Sequence, residues 1–423
     1  MKNNNPSKPN AWDSKTMKTA NNEILPEGYK MTELGALPEE WEVAKLGEVA
    51  HISSGGSAPQ GDKYFNGDKP FVRVSHIDNQ NYSINKYDLI NDNAINDYRL
   101  KLFPKDTIIF PKSGATVYLE KRAMLPIDAY VVSHLCTVIS NKEEAIQHFL
   151  FYVLISLKLA KEKADGYPTL NISEVKRIPI PLPPLPEQQK IAAALSAVQE
   201  AKEKTEAVIA ATKALKKSMM KHLFTYGPVP TEETENVPLK ETEIGKVPEE
   251  WEVVKLGEVA EVKYGKANTK DKGNIPVVGS GGVYSRTRTP LVDYPTIVIG
   301  RKGTAGKSWL FLEPCYPSDT TFYLRWKKDI DLKFLYNYMV LNQLSGEHAK
   351  TTLPSLQKAD LINYSLPLPP LPIQQKIASI LSAIDAKIEA EENKKKSLED
   401  LFKTLLHNLM TAKIRVHNLE IKV

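Results

Sequence analysis

Cysteine is nearly absent from this 423-residue chain: Cys136 and Cys315 are its only two. Two thiols so far apart make neither a disulfide framework nor a Cys-rich zinc site, and such usage fits a reducing compartment. No apolar run reaches the ~18 residues of a membrane span, and the N-terminus lacks the apolar stretch of a signal peptide, so the expectation is a cytoplasmic protein. The eight histidines follow no metal-ligand spacing. There is no His-Glu-x-x-His and no Gly-x-Ser-x-Gly elbow, so no metal and no hydrolase nucleophile is expected. The nearest approach to a phosphate-binding loop is Gly300-Arg-Lys-Gly-Thr-Ala-Gly-Lys-Ser308. Its glycines miss the required spacing by one residue, and Trp309-Leu-Phe-Leu312 after it reads as a strand where a helix N-terminus is needed. No nucleotide or other cofactor is expected.

What the chain does have is repetition. Pro181-Leu-Pro-Pro-Leu-Pro-Glu-Gln-Gln-Lys-Ile-Ala192 returns as Pro367-Leu-Pro-Pro-Leu-Pro-Ile-Gln-Gln-Lys-Ile-Ala378, with only Glu187 replaced, by Ile373. A second pair, Pro38-Glu-Glu-Trp-Glu-Val43 with Lys45-Leu-Gly-Glu-Val-Ala50, recurs at Pro248 to Ala260. The Trp motifs are 210 residues apart and the Pro-rich motifs 186, so the first intervening body is 24 residues longer. A period this long means duplicated domains, not a solenoid. With 42 % hydrophobic residues each half can bury a core. The net charge of +5 is mild, but Trp41 to Leu170 balances 15 basic against 15 acidic residues while Trp251 to Leu356 carries 15 against 10. The excess can sit in the second body.

Residues 1–30 show no apolar periodicity and are expected to form a disordered tail. Each body reads as mixed α and β. In the first, strands are expected near 42–45, 49–52, 70–74, 107–110 and 129–139, with a helix over 143–163. In the second they are expected at 260–264, 296–299, 308–312 and 320–326, with a helix from Asp331 to about Leu344. His134, in the apolar 129–139 strand, reads as a core histidine, and Trp41 and Trp251 as core anchors. Pro168-Thr-Leu170 and Pro354-Ser-Leu356 also lie 186 apart and belong to the repeated frame.

Each Pro-rich lead-in prefers an extended path and opens a helix of close to 40 residues, about 57 Å long. In the second helix Ile377, Leu381, Ile384 and Ile388 form a seam that resumes, after a polar middle, at Leu398, Leu401, Leu405 and Leu409. In the first, Ile191, Leu195 and Val198 begin it, Thr205, Ile209 and Thr212 carry it thinly, and Leu215, Met219 and Leu223 finish it. Such seams want a partner helix, and the simplest is the other copy, antiparallel. In both bodies a strand leads into a small basic loop, at Lys112-Ser113-Gly114 and at Gly300-Arg301-Lys302-Gly303. Glycine permits close backbone approach and the cations can reach phosphates or bases. The loops read as DNA-facing, with a plain hairpin carrying solvated charges as the alternative, and Lys112, Ser113, Arg73, Arg286, Arg301 and Lys302 are the candidate DNA-contacting residues.

These paired Trp and Pro-rich motifs, followed by long helices, resemble the specificity (S) subunit of type I restriction-modification systems over residues 32–411. The resemblance implies an α+β chain in which two mixed α/β target recognition domains (31–184 and 242–370) are separated by two conserved spacer helices (185–226 and 371–411). These helices are expected to form an antiparallel coiled coil, with a linker at 227–241 and a tail at 412–423. It implies double-stranded DNA, methyltransferase (M) subunits and a restriction (R) subunit as partners, and an asymmetric bipartite target. Catalysis would belong to the partners. A self-contained nuclease or methyltransferase with fused recognition domains, or a coiled-coil scaffold, are the alternatives.

Overall fold

In a computed structural model the described residues are 25–78, 82–84, 86–160, 169–267, 271–344 and 355–416. The chain divides into two compact units, 1–205 with 394–423, and 206–393. Most of the expected tail, the end of the 143–163 helix, Pro168, Pro354 and residues 417–423 lie outside the described residues.

The two repeated motifs meet each other. In the first unit Glu42–Lys45 pairs antiparallel with Pro179–Leu182, and in the second Glu252–Lys255 pairs with Ser365–Leu368. The Pro-rich lead-in is therefore partly a strand, and its prolines are tolerated because the ladder has only two strands. The last four residues of Lys-Leu-Gly-Glu-Val then each have a use. Leu46 and Val49, like Leu256 and Val259, are buried. Glu48 accepts the backbone N–H of Lys45 at 2.8 Å, and Glu258 that of Lys255 at 2.7 Å. A Cβ on Gly47 would lie 2.8 Å from Lys176, and one on Gly257 2.8 Å from Ile362, so a short helix of the frame packs directly on each glycine. Trp41 and Trp251 are buried anchors.

The long helices run over Leu185–Tyr226 and Leu371–Met410. Proline at 186 and 372 sits in the first turn, where its missing N–H costs no helical bond. Buried Gln188 accepts the N–H of Ile146 at 2.9 Å, and Gln374 that of Asp331 at 2.9 Å, which ties each body's helix to the start of the long helix. Within the second unit Lys213 binds Glu392 at 2.6 Å and Lys216 binds Asp385 at 2.7 Å. The rising number meets a falling one, so these segments are antiparallel. Within the first unit Ile191 and Leu195 share a core with Phe402, Leu409 and Met410.

Two seam assignments change. Leu401 and Leu215 are 45 % and 53 % exposed. Phe402 takes the place of Leu401, so the second seam runs 398, 402, 405, 409. The polar middle does not break the period either: Lys202 and Thr205, and Glu391 on the other helix, are buried at seam positions.

The bodies repeat one scaffold. In the first, Ala50–Ser54, Leu135–Ser140, Ile108–Pro111 and Ala123–Met124 form a four-stranded sheet in that order. In the second, Ala260–Tyr264, Thr321–Trp326, Thr296–Gly300 and Ser308–Phe311 do the same. A second sheet orders Asp88–Ile90, Lys69–Val72, Ala129–Val131 and Leu102–Phe103, matched by Gly282–Thr287, Ile275–Gly279 and Tyr316–Pro317. The expected 129–139 strand is thus two strands in different sheets. His134 lies exposed in the turn between them, not in the core. The expected 143–163 helix is shorter, Gln147–Ser156, and its counterpart is Leu332–Leu341.

Glu187, the one residue that breaks the Pro-rich repeat, is buried and accepts the Trp41 indole N–H at 2.9 Å. It also binds Arg415 at 2.8 Å, and Arg415 reaches Glu40 at 2.7 Å. Replacing Glu187 by isoleucine, the residue found at position 373, leaves two donors unsatisfied. The Glu187→Ile variant should lose about 2–4 kcal/mol of stability in denaturant unfolding. An unchanged unfolding curve would contradict this role for Glu187.

Candidate nucleic-acid interface

Both basic loops leave the same point of the scaffold. The Lys112 N–H donates to the His134 carbonyl at 2.9 Å, and the Leu170 N–H donates to the Lys112 carbonyl at 2.7 Å. In the second body Arg301 donates to Thr320 at 2.9 Å and accepts from Leu356 at 2.9 Å. Ser113 and Lys302 form the matching bridges to Thr169 and Ser355. The backbone of each loop is therefore clamped between the end of a sheet strand and the Thr-Leu or Ser-Leu segment of the frame.

Glycines set the close approaches beside these loops. A Cβ on Gly55 would lie 1.9 Å from the Val131 carbonyl oxygen, and one on Gly265 2.0 Å from that of Ser318. Gly303 and Gly306 hold φ of +78° and +80°, and the Gly306 N–H closes the loop on the Gly300 carbonyl at 2.9 Å.

The side chains differ. Arg301 lies over the rings of Tyr264 and Phe322, at 5.4 and 5.9 Å, and its buried Nε has no hydrogen-bond partner. Lys358 approaches the same Tyr264 ring at 5.8 Å, and Lys307 lies over Trp309 at 5.5 Å. Lys302 is exposed. In the first body Lys112 is half-buried and Ser113 hydrogen-bonds His134 Nδ1 at 2.7 Å. Arg73 is on the other sheet's side of that body, ion-paired with Asp88 and stacked at 5.4 Å on Phe65 and on Phe71. Burial lowers the pKa of His76, which sits 3.6 Å from Asp88. Arg286 lies on the exposed edge strand Gly282–Thr287 and donates to the Asn274 carbonyl at 2.6 Å. Arg301 and Lys302 thus share a loop, Lys112 and Ser113 share its counterpart, and Arg73 and Arg286 stand on other elements.

Tyr264, Phe322 and Lys358 were not among the sequence candidates. A tyrosine at a strand end just before a glycine carries too little signal by itself to mark a site. Burial raises the pKa of both Cys136 and Cys315 to about 12, which keeps the thiols protonated and unreactive. Among the described residues no group of His, Cys, Asp or Glu could hold a metal, and no helix is long and apolar enough to cross a membrane.

Two repeated scaffolds with long helices and divergent surface loops define a duplicated recognition protein. The family model for the type I restriction modification DNA specificity domain matches residues 38–211 and again 248–400, and the chain belongs to that family. It is 29 % identical to a putative type I restriction enzyme specificity subunit (MjaX) of Methanocaldococcus jannaschii, over 92 % of this chain and 97 % of that one. The MjaVIII specificity subunit of the same organism is also 29 % identical, over 90 % and 95 %. Among solved structures, the S subunit from M. genitalium superposes with a TM-score of 0.61 at 19 % identity, over 88 % of this chain and 96 % of that one. A chain from a type I restriction-modification assembly gives 0.54 at 21 %, over 89 % and 99 %. These structural likenesses establish the fold.

The glycines beside the loops give a direct test of the shared scaffold. Gly55→Ala and Gly265→Ala should each destabilise the protein by about 3 kcal/mol or more, because the new methyl meets backbone. Gly281→Ala, with nothing within 4 Å, should change stability by less than about 0.5 kcal/mol. Denaturant unfolding showing equal effects at all three would contradict the placement.

Proposed function

We propose that this chain is the sequence-specific DNA-recognition subunit of a type I restriction-modification complex. Each body reads one half of an asymmetric bipartite site in double-stranded DNA, and the long helices fix the spacer and dock methyltransferase subunits. Methylation, and cleavage with a restriction subunit, are the work of those partners, and the compartment is the cytoplasm, where the DNA is.

The observation that carries this reading is that one scaffold, built twice, presents a backbone-clamped cationic loop at the same place with different side chains. Lys112-Ser113 in one body and Arg301-Lys302 in the other offer different chemistry, so the two half-sites should differ. Two small heads on one chain multiply their specificities, since each alone contacts only a few base pairs. Phosphate contacts supply much of the affinity and make it salt-dependent.

Exposed Lys302 and half-buried Lys112 are suited to phosphate contacts, one in each half-site. The Lys112→Ala, Lys302→Ala double variant, assembled with its methyltransferase partner, should lower the slope of log affinity against log salt by about 2, roughly 1 per contact. The methylated sequence should stay the same. A slope equal to that of the unaltered complex would show that these loops face away from DNA.

A further inference from the structure

The two loops differ in one respect that sequence alignment of the bodies hides. In the second body the guanidinium of Arg301 is held over Tyr264 and Phe322, whose ring centroids are 5.0 Å apart, and Lys358 approaches the same tyrosine. The residues at the equivalent scaffold positions of the first body are Lys112, Ser54, Cys136 and Ile172. None is aromatic, so the first body has no such cage. Among the described residues no carboxylate pairs with Arg301, and its Nε has no partner. Arg73 in the first body shows the contrast, because Asp88 neutralises it. Tyr264 as a residue remains 48 % exposed.

A cation stacked on rings rather than bound to a carboxylate keeps its terminal guanidinium donors available, although Arg301 Nε is itself buried, and loses less freedom on binding. Phosphate contact needs only a mobile point charge, as Lys302 supplies. A guanidinium fixed in orientation suits the paired acceptors O6 and N7 that guanine presents in the major groove. We propose that Arg301 reads a guanine in the half-site recognised by the second body, and that Tyr264 is a positioning residue that holds it. This rests on the reading of the chain as a DNA-recognition subunit.

The test is sequencing-based detection of methylated adenine in cells carrying the intact system, with the unaltered chain and with four variants. Arg301→Lys keeps the charge and loses the fork. It should relax one G·C position of one half-site by about tenfold to a hundredfold and leave every other position unchanged. Tyr264→Leu should relax the same position, and Tyr264→Phe, which retains the ring, should restore discrimination. Lys302→Ala should lower the extent of methylation without changing the motif. A chimera carrying another specificity subunit's second body identifies which half-site is involved. If the unaltered chain directs methylation to a bipartite site but Arg301→Lys leaves the motif intact, or relaxes the other half-site, the inference is wrong while the recognition reading stands. If Tyr264→Leu lowers only protein yield and the residual methylation keeps the motif, Tyr264 does not position Arg301. If the unaltered chain directs no bipartite methylation, the recognition reading itself fails.

Discussion

The structure depends on a short two-stranded ladder at the base of each body. Glu42–Lys45 against Pro179–Leu182, and Glu252–Lys255 against Ser365–Leu368, bring the two ends of each body to one place. Everything between them is a closed excursion, so its length can change without moving the start of the long helix. The offset between the bodies shows this happening. It falls from 210 at Gly55 and Gly265 to 206 at Gly67 and Gly273, 197 at Ile90 and Thr287, 189 at Lys112 and Arg301, and 186 at Leu135 and Thr321. The extra residues of the first body enter between matched strand positions, mostly between Gly67 and Lys112, where that body also carries the helix Asp92–Tyr98 and the edge strand Leu102–Phe103. The buried glutamines Gln188 and Gln374 then carry the fixed base into the helix.

The frame was legible in the sequence because its residues are repeated almost letter for letter and most have one geometric use, as the Leu-Gly-Glu-Val motif shows. The repeated order of elements in the two bodies was legible too, but the close approaches that fix it were not. The shared glycines Gly55 and Gly265, or Gly67 and Gly273, meet backbone carbonyls that lie far away in sequence, and no local pattern records that. The single strand expected over 129–139 failed for a related reason. Its apolar run is continuous, but a turn at 132–134 sends the two halves to different sheets. On the helices, leucine spacing alone points to Leu401, whereas the phase is set by Phe402, whose ring lies 6.0 Å from that of Tyr152.

The candidate interface was half legible. Strand-then-basic-loop patterns located Lys112 and Arg301 at equivalent points, since the backbone there is part of the frame. What each cation can do was not visible, because it depends on residues from three other segments. Tyr264 and Phe322 reach Arg301, and Lys358 reaches the same Tyr264 ring, only through the sheet order and the helix after the 355–356 bridge. Asp88 disarms Arg73 in the same non-local way. The surroundings of these cations differ between the copies, while the order of strands in the first sheet of each body is the same.

In the proposed function the long helices fix the spacer between the half-sites, and a matched insertion tests this directly. Lys213 and Glu392 face one another across the antiparallel segments, and inserting one heptad into each helix at these positions keeps both seams in register. The insertion adds about 10 Å of helix. At roughly 3.4 Å per base pair this predicts close to three further base pairs of non-specific spacer in the methylated motif, with both half-site sequences unchanged. Methylation confined to the original spacing, or altered half-sites at an unaltered spacing, would contradict the account.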